Sequence, residues 1–340
     1  MEKGFIENDK ETKRVVFIDI AKGMAILLMI VGHVIKYGLL RRIIFSFHMP
    51  LFIIISGLCY KEKSIKEEIK NSITKLLIPT FAVIFLLFII NGLHNEGIVN
   101  IFIEYIKEIS AGISHVSKIK YNIAGTDVLW FIYLLVGIRI IFRINKKIAK
   151  DNEICLLTII ILETYIGYIL GLEGYWLPWS LDITFVSIVF YYVGYILKKY
   201  NLHEEILSNN KILILIFIIW ILGIKYNWIE LAIRRYPHGC FSLITAISGS
   251  LIVLKISKII EKRFHMCSKI LAFCGEHSLY ILFGHRIAIN FINYKLPNKG
   301  LLDYRVLAFF NFFFSMLFAL IILCIREIKK KLKKIRVQRK

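Results

Sequence analysis

The stretch DIAKGMAILLMIVGH, residues 19–33, decides the fold, because it reads as a membrane-spanning helix and yet carries Asp19, Lys22 and His33. A charged side chain at the bilayer centre costs about 2.5 to 3.5 kcal/mol on insertion scales, so such groups are kept where they face one another or a wet cavity. At about 100° per residue, the positions from Lys22 to His33 make roughly three turns, which puts both on one face about 16 Å apart. Asp19 lies one turn below Lys22 on nearly the same face. The first helix is therefore a site as well as an anchor.

The rest of the chain extends this reading. Of 340 residues, 57% are hydrophobic, and the mean hydropathy is +0.66. Apolar blocks broken by polar loops are expected to form ten spans, near 15–36, 43–60, 76–92, 127–142, 154–171, 180–197, 211–226, 239–256, 270–291 and 305–325. The predicted fold is an all-α polytopic helix bundle forming a single domain, with a short N-terminal segment 1–14 and a basic tail 326–340. The apolar run after Arg14 is too long and too charged for a cleaved leader, so it is expected to be retained as the first span. Residues 100–113 carry Glu104, Lys107 and Glu108 among apolar positions of helical period, which suits an amphipathic helix lying in the interface.

The chain carries 45 Lys and Arg against 24 Asp and Glu, a formal charge of +21. No nucleic-acid module accompanies that charge, and membrane proteins place Lys and Arg in cytoplasmic loops. With both termini inside, about 30 of the 45 fall on the cytoplasmic side and about 12 outside. A plasma-membrane protein with cytoplasmic termini is expected, its polybasic tail resting on anionic lipid headgroups. The six cysteines lie in or beside spans without metal-ligand spacing, so reduced packing thiols and no metal are expected.

In this orientation His33, His48, Asp127, His285 and Arg286 come from four helices to one depth in the outer half of the bilayer. Such groups are expected to face each other or a cavity. In FSFHMPLFIIISG, residues 45–57, Pro50 cannot donate to the carbonyl of Ser46 and should bend the second span near His48. Ser56 and Gly57 fit close packing better than a nucleophile elbow, which needs a strand before it and a helix after it.

The order of segments resembles the acyltransferase-3 family of integral membrane acyltransferases, and particularly its branch related to fucose 4-O-acetylase. The matching pieces are FIDIAKGMAILLMIVGH (17–33), FSFHMPLFIIISG (45–57), LWFIYLL (129–135), LPWSLDITFVSIVFYYVGYIL (177–197), RRYPHG (234–239) and CGEHSLYILFGH (274–285). The resemblance implies transfer of acetyl from acetyl-CoA to a sugar hydroxyl of a cell-envelope glycan or glycolipid, with the first-helix histidine essential. Many members carry an R-x10-H pattern there; Lys22 stands at the matching cation, and binds phosphate as a point charge rather than a planar fork. Many also carry Arg where this chain has His48.

A mechanism follows from these residues. His33 is the candidate general base, with His48 or Arg286 as donors to the oxyanion. Lys22, with the basic segment 61–75, is expected to meet the phosphates of acetyl-CoA from the cytosol, and Asp19 to pair with Lys22. Asp127, Trp130 and His285 are candidates for contact with the carbohydrate acceptor, joined on the outer side by Trp176, Trp179 and the loop Arg234 to His238. The alternative is a proton-coupled transporter, which discontinuous helices and a repeat of the fold would favour; no such repeat or break is evident from the sequence.

Overall fold

A computed structural model describes residues 15–35, 37–92, 98–114, 125–226, 228–295 and 304–338. The expected N-terminal segment 1–14 lies outside the described residues. The chain is all-α, in the order α1 (Val16–Val34), α2 (Leu39–Phe45), α3 (His48–Leu58), α4 (Ile65–Ser72), α5 (Ile78–Gly92), α6 (Ile98–Ala111), α7 (Trp130–Ile148), α8 (Glu153–Leu172), α9 (Leu181–Lys199), α10 (Leu202–Ser208), α11 (Asn210–Tyr226), α12 (Cys240–Arg263), α13 (His265–Glu276), α14 (Ser278–Lys295) and α15 (Tyr304–Gln338).

Among the described residues seven segments are long and apolar enough to cross a membrane, including Val16–Val34, Leu39–Leu58, Ile65–Asn91 and Pro178–Lys199. The remaining three of the ten expected spans are helices of another kind. α7 carries Arg139, Arg143, Lys146 and Lys147, α10 and α11 meet at 86°, and the ninth span is broken at His277 into α13 and α14. The segment expected as a basic loop at 61–75 is largely helix. Ser64 Oγ caps it by accepting from Glu67 N at 3.1 Å, which is the signature of Ser followed three residues later by Glu. A π-helical turn, Ile73–Leu77, then carries α4 into α5.

The second span is also discontinuous. It breaks at Ser46–Phe47, and α3 restarts at His48 with Pro50 in its first turn. Proline's missing N–H costs nothing there, because first-turn amides lack an intrahelical acceptor anyway. The break therefore falls one turn before the proline.

α1 sits at the centre, packed by α3, α12, α13 and α15. Its closest crossing is made by glycines: a Cβ on Gly275 would lie 1.7 Å from the carbonyl oxygen of Asp19, and one on Gly23 2.0 Å from that of Leu271. A second crossing of the same kind joins α3 to α9, where Gly57 faces Tyr191 and Gly194 faces Ile54. Small residues let backbones touch where lipid offers no hydrophobic drive to associate. His33 and His285 keep the sequence offset of Gly23 and Gly275, so α13 and α14 run alongside α1 in the same direction.

Polar groups gather at the two ends of the bundle. Where α1 begins, the Arg143 guanidinium lies 4.4 Å over the Tyr60 ring and pairs with Glu62 at 3.2 Å and Glu68 at 3.6 Å. Lys146 pairs with Glu62, and Lys199 with Glu153. Burial alone would raise the Glu62 carboxyl, but hydrogen bonds from Lys146 and Tyr60 hold it below the usual carboxylate range. At the other end, Arg41 pairs with Glu230, Arg286 with Glu108, and Arg234 with Asp182.

Candidate active site

A cavity of about 450 Å³ lies along α1, from Lys22 to the polar end that holds Arg41 and Glu230. Its wall includes Lys22, Ile26, Met29 and His33, a single stripe of α1 at spacings of four, three and four residues. Toward Lys22 its lining includes Ser56 of α3, Cys59 just after that helix, Arg139 of α7 and Glu276, the last residue of α13. Its middle is apolar, with Phe52, Ile55, Phe131 and Leu135. Beyond His33 it reaches Arg41, Ser114, Asp127 and residues 229–233. A charged mouth, an oily shaft and a second polar mouth follow one another along α1.

The Asp19 carboxylate accepts from Lys22 Nζ at 3.3 Å. Asp19 is buried and does not line the cavity, whereas Lys22 does. The cation thus faces the cavity with its counter-ion behind it. At the far end of the stripe His33 is exposed, and its ring lies 6.3 Å from Phe45 and 5.4 Å from His285, centroid to centroid.

His48 also lines the cavity, on the other side of Phe45. Its Nδ1 donates to the carbonyl of Ile44 at 2.8 Å, which leaves Nε2 of the neutral ring an acceptor. Nε2 is thus the ring nitrogen left to face the cavity, a lone pair on the neutral ring and an N–H on the protonated one.

His285 and Arg286 depart from expectation, for neither lines the cavity. His285 is fully buried behind His33. The Arg286 guanidinium donates to Glu108 Oε1 at 3.3 Å and approaches Asp127 Oδ2 at 4.0 Å, so its charge is spent on α6 and on the turn before α7. Burial pushes the Glu108 carboxyl up, and the adjacent Arg286 only partly opposes this. Asp127 and Trp130 both line the cavity; Asp127 sits at φ 51°, a left-handed backbone that Asp adopts more readily than most residues.

The expected outer cluster of tryptophans and Arg234 is built differently. Arg234 donates twice to Asp182, at 2.7 and 3.1 Å, and its guanidinium lies 3.6 Å over the Trp176 ring. Trp179 packs against Tyr133 at 5.6 Å. None of these lines the cavity, so they hold the loop rather than face its contents. The loop offers Glu230, Leu231, Ala232 and Ile233 instead.

Two cavity residues were not singled out from the sequence. Arg41 Nη1 donates to the carbonyls of Gly32 and Ile35, both at 3.1 Å, closing the C-terminal turn of α1 around His33. Its Nη2 donates to Glu230 at 2.8 Å. Arg139 Nε donates to Ser56 Oγ at 3.2 Å, near the Lys22 mouth. Arg139, like Asp19 and Lys22, is an ionisable residue inside an apolar run, and that is the signal which marks it in the sequence.

Comparison with protein families finds one match, the acyltransferase domain of the acyltransferase-3 family, over residues 15–325. Comparisons with curated proteins and with solved structures give no match. The family model takes in α1 through most of α15, including every residue of the cavity wall named above, and this chain belongs to the acyltransferase-3 family of membrane acyltransferases.

Proposed function

We propose that this membrane acyltransferase moves acetyl from acetyl-CoA, drawn from the cytosol, to a hydroxyl of a sugar in a cell-envelope glycan or glycolipid, as its likeness to the fucose 4-O-acetylase branch suggests. The observation that carries this reading is the cavity that runs from Lys22 past His33 to residues 229–233. Its parts suit the donor in sequence. Lys22 and Arg139 give positive potential at the mouth where phosphates would rest, and Ile26, Met29, Phe52 and Ile55 give an apolar wall for a neutral arm. Positive charge at that end matches the cytoplasmic face of the plasma membrane.

His33 then works as a general base. It takes the proton of the acceptor hydroxyl as that oxygen bonds to the thioester carbonyl carbon; the carbon–sulfur bond breaks, and the imidazolium returns the proton to the departing thiolate. Both bonds change in one collapse and re-formation of the carbonyl, with no acyl-enzyme needed. On this reading Asp127 and Trp130, in the wall beyond His33, meet the sugar, and the His48 Nε2 lone pair accepts from one of its hydroxyls; that all three line the cavity supports this.

Lys22 supplies the test of the donor end. Removing a charged partner of a phosphate is worth about 1.5 to 3 kcal/mol, so Lys22→Gln should raise the acetyl-CoA KM by about tenfold or more. Lys22→Arg should keep most of the affinity, and the acceptor KM should not move in either variant. An unchanged donor KM in the folded fraction, with a lower yield of folded protein, would make the Asp19–Lys22 pair purely structural. The breaks at Phe47 and His277 are the feature that transport would use, and solute flux without acetyl transfer in the same vesicles would establish that reading instead.

A further inference from the structure

His285 is the buried ionisable group that the reaction as proposed leaves without a task. It is fully buried, one ring away from His33. Its Nδ1 lies 3.0 Å from Ser315 Oγ on α15. The Ser315 hydroxyl has one proton, and it donates that proton to the carbonyl of Asn311. Ser315 Oγ can therefore only accept from His285, so Nδ1 carries the hydrogen and Nε2 of the neutral ring carries a lone pair. That Nε2 is buried with no hydrogen-bond partner among the described residues, a condition native structures seldom tolerate without a use.

We infer that His285 is a positioning residue for His33: its Nε2 accepts the ring N–H of His33, fixing the tautomer whose other nitrogen meets the acceptor hydroxyl. The inference rests on the reading of His33 as the base. A base that acts through one ring nitrogen needs its proton on the other, and an acceptor held beside that proton sets both tautomer and ring orientation. Centroids 5.4 Å apart and planes at 49° bring the two imidazoles within a ring rotation of an N–H···N bond. The other ionisable groups around the pair already have partners: Arg41 holds the end of α1 and Glu230, His48 donates to Ile44, and Arg286 lies between Glu108 and Asp127. When His33 takes the proton, the same bond becomes charge-assisted and holds the imidazolium until the thiolate claims it. Ser315 on α15 and His285 on α14 thus form a relay of orientation into α1, joined by the tight crossing at Gly284, where a Cβ would lie 2.3 Å from the Ser315 carbonyl oxygen.

The test uses the full chain in lipid nanodiscs, with labelled acetyl-CoA and fractionated cell-envelope glycans as acceptor. His285→Ala should lower kcat by about 10- to 10³-fold, less than the roughly 10⁴ that a charged orienting group is worth in serine hydrolases, with the acetyl-CoA KM unchanged. His285→Gln, which keeps an acceptor oxygen near the Nε2 position, should retain most of kcat. Ser315→Ala frees the His285 tautomer without disturbing its bulk and should lower kcat in the same KM-neutral way. Wild-type kcat in folded His285→Ala, or equal losses in the Ala and Gln variants, overturns the inference; if His285→Ala does not fold, unchanged kcat in Ser315→Ala overturns it. His33→Ala measured in parallel separates the two readings, since turnover surviving that change would remove the base itself.

Discussion

His33→Ala is expected to leave an inserted, folded protein whose acetyl transfer falls by about 10² to 10⁴, the usual worth of a positioned general base. That corresponds to roughly 3 to 5 kcal/mol of barrier. Folding should survive because His33 is exposed at the wall of the cavity, while the packing of α1 is carried elsewhere, by Gly23 against Leu271 and by buried Ile20, Ala21, Ala25 and Ile30. Donor binding should survive too, since Lys22 lies three turns away along the same stripe. Size-exclusion profiles, acetyl-CoA affinity and turnover of the purified variant check the three statements together. Turnover at the wild-type rate would take the base away from His33.

The second large effect belongs to stability. The Asp182 and Arg234 side chains are 0% and 2% exposed and face each other through two hydrogen bonds. Removing one member of such a pair leaves an uncompensated buried charge, at a cost of about 3 to 5 kcal/mol. Arg234→Ala should therefore unfold the outer loop and lower the thermal midpoint sharply in detergent. Replacing both members by apolar residues of similar size, Arg234→Met with Asp182→Leu, should recover much of the loss, because a buried ion pair is weakly favourable against a packed apolar one. Thermal midpoints of the single and double variants measure this. If Arg234→Ala instead kept its stability and lost only acceptor affinity, the loop arginine would belong to the sugar site.

The membrane bundle and the polar stripe of α1 are legible for one physical reason. Charges inside an apolar run are expensive, so Asp19, Lys22 and His33 announce themselves, and their spacing alone puts Lys22 and His33 on one face. What the sequence hides is partnership over distance. Arg41 and Glu230 are 189 residues apart, and nothing local in either segment names the other. The same holds for Arg234 and Asp182, so a loop arginine expected beside the sugar is instead paired and buried. The breaks were half legible. Pro50 marks the first, but proline tolerates the first turn of a new helix and so shifts the break to Phe47. His277 carries no proline at all, and the nearby Gly275 is there for the contact with α1 rather than to end α13.

In the proposed reaction one cavity passes acetyl from a donor at one face of the membrane to an acceptor at the other, with His33 between them. Proteoliposomes carrying the protein in a single orientation test it most directly, with labelled acetyl-CoA outside and envelope glycans trapped within. Label should appear on the trapped glycan when the face bearing Lys147 and Lys262 is outward, and should vanish in His33→Ala. Label formed only when donor and glycan share one side would contradict the account.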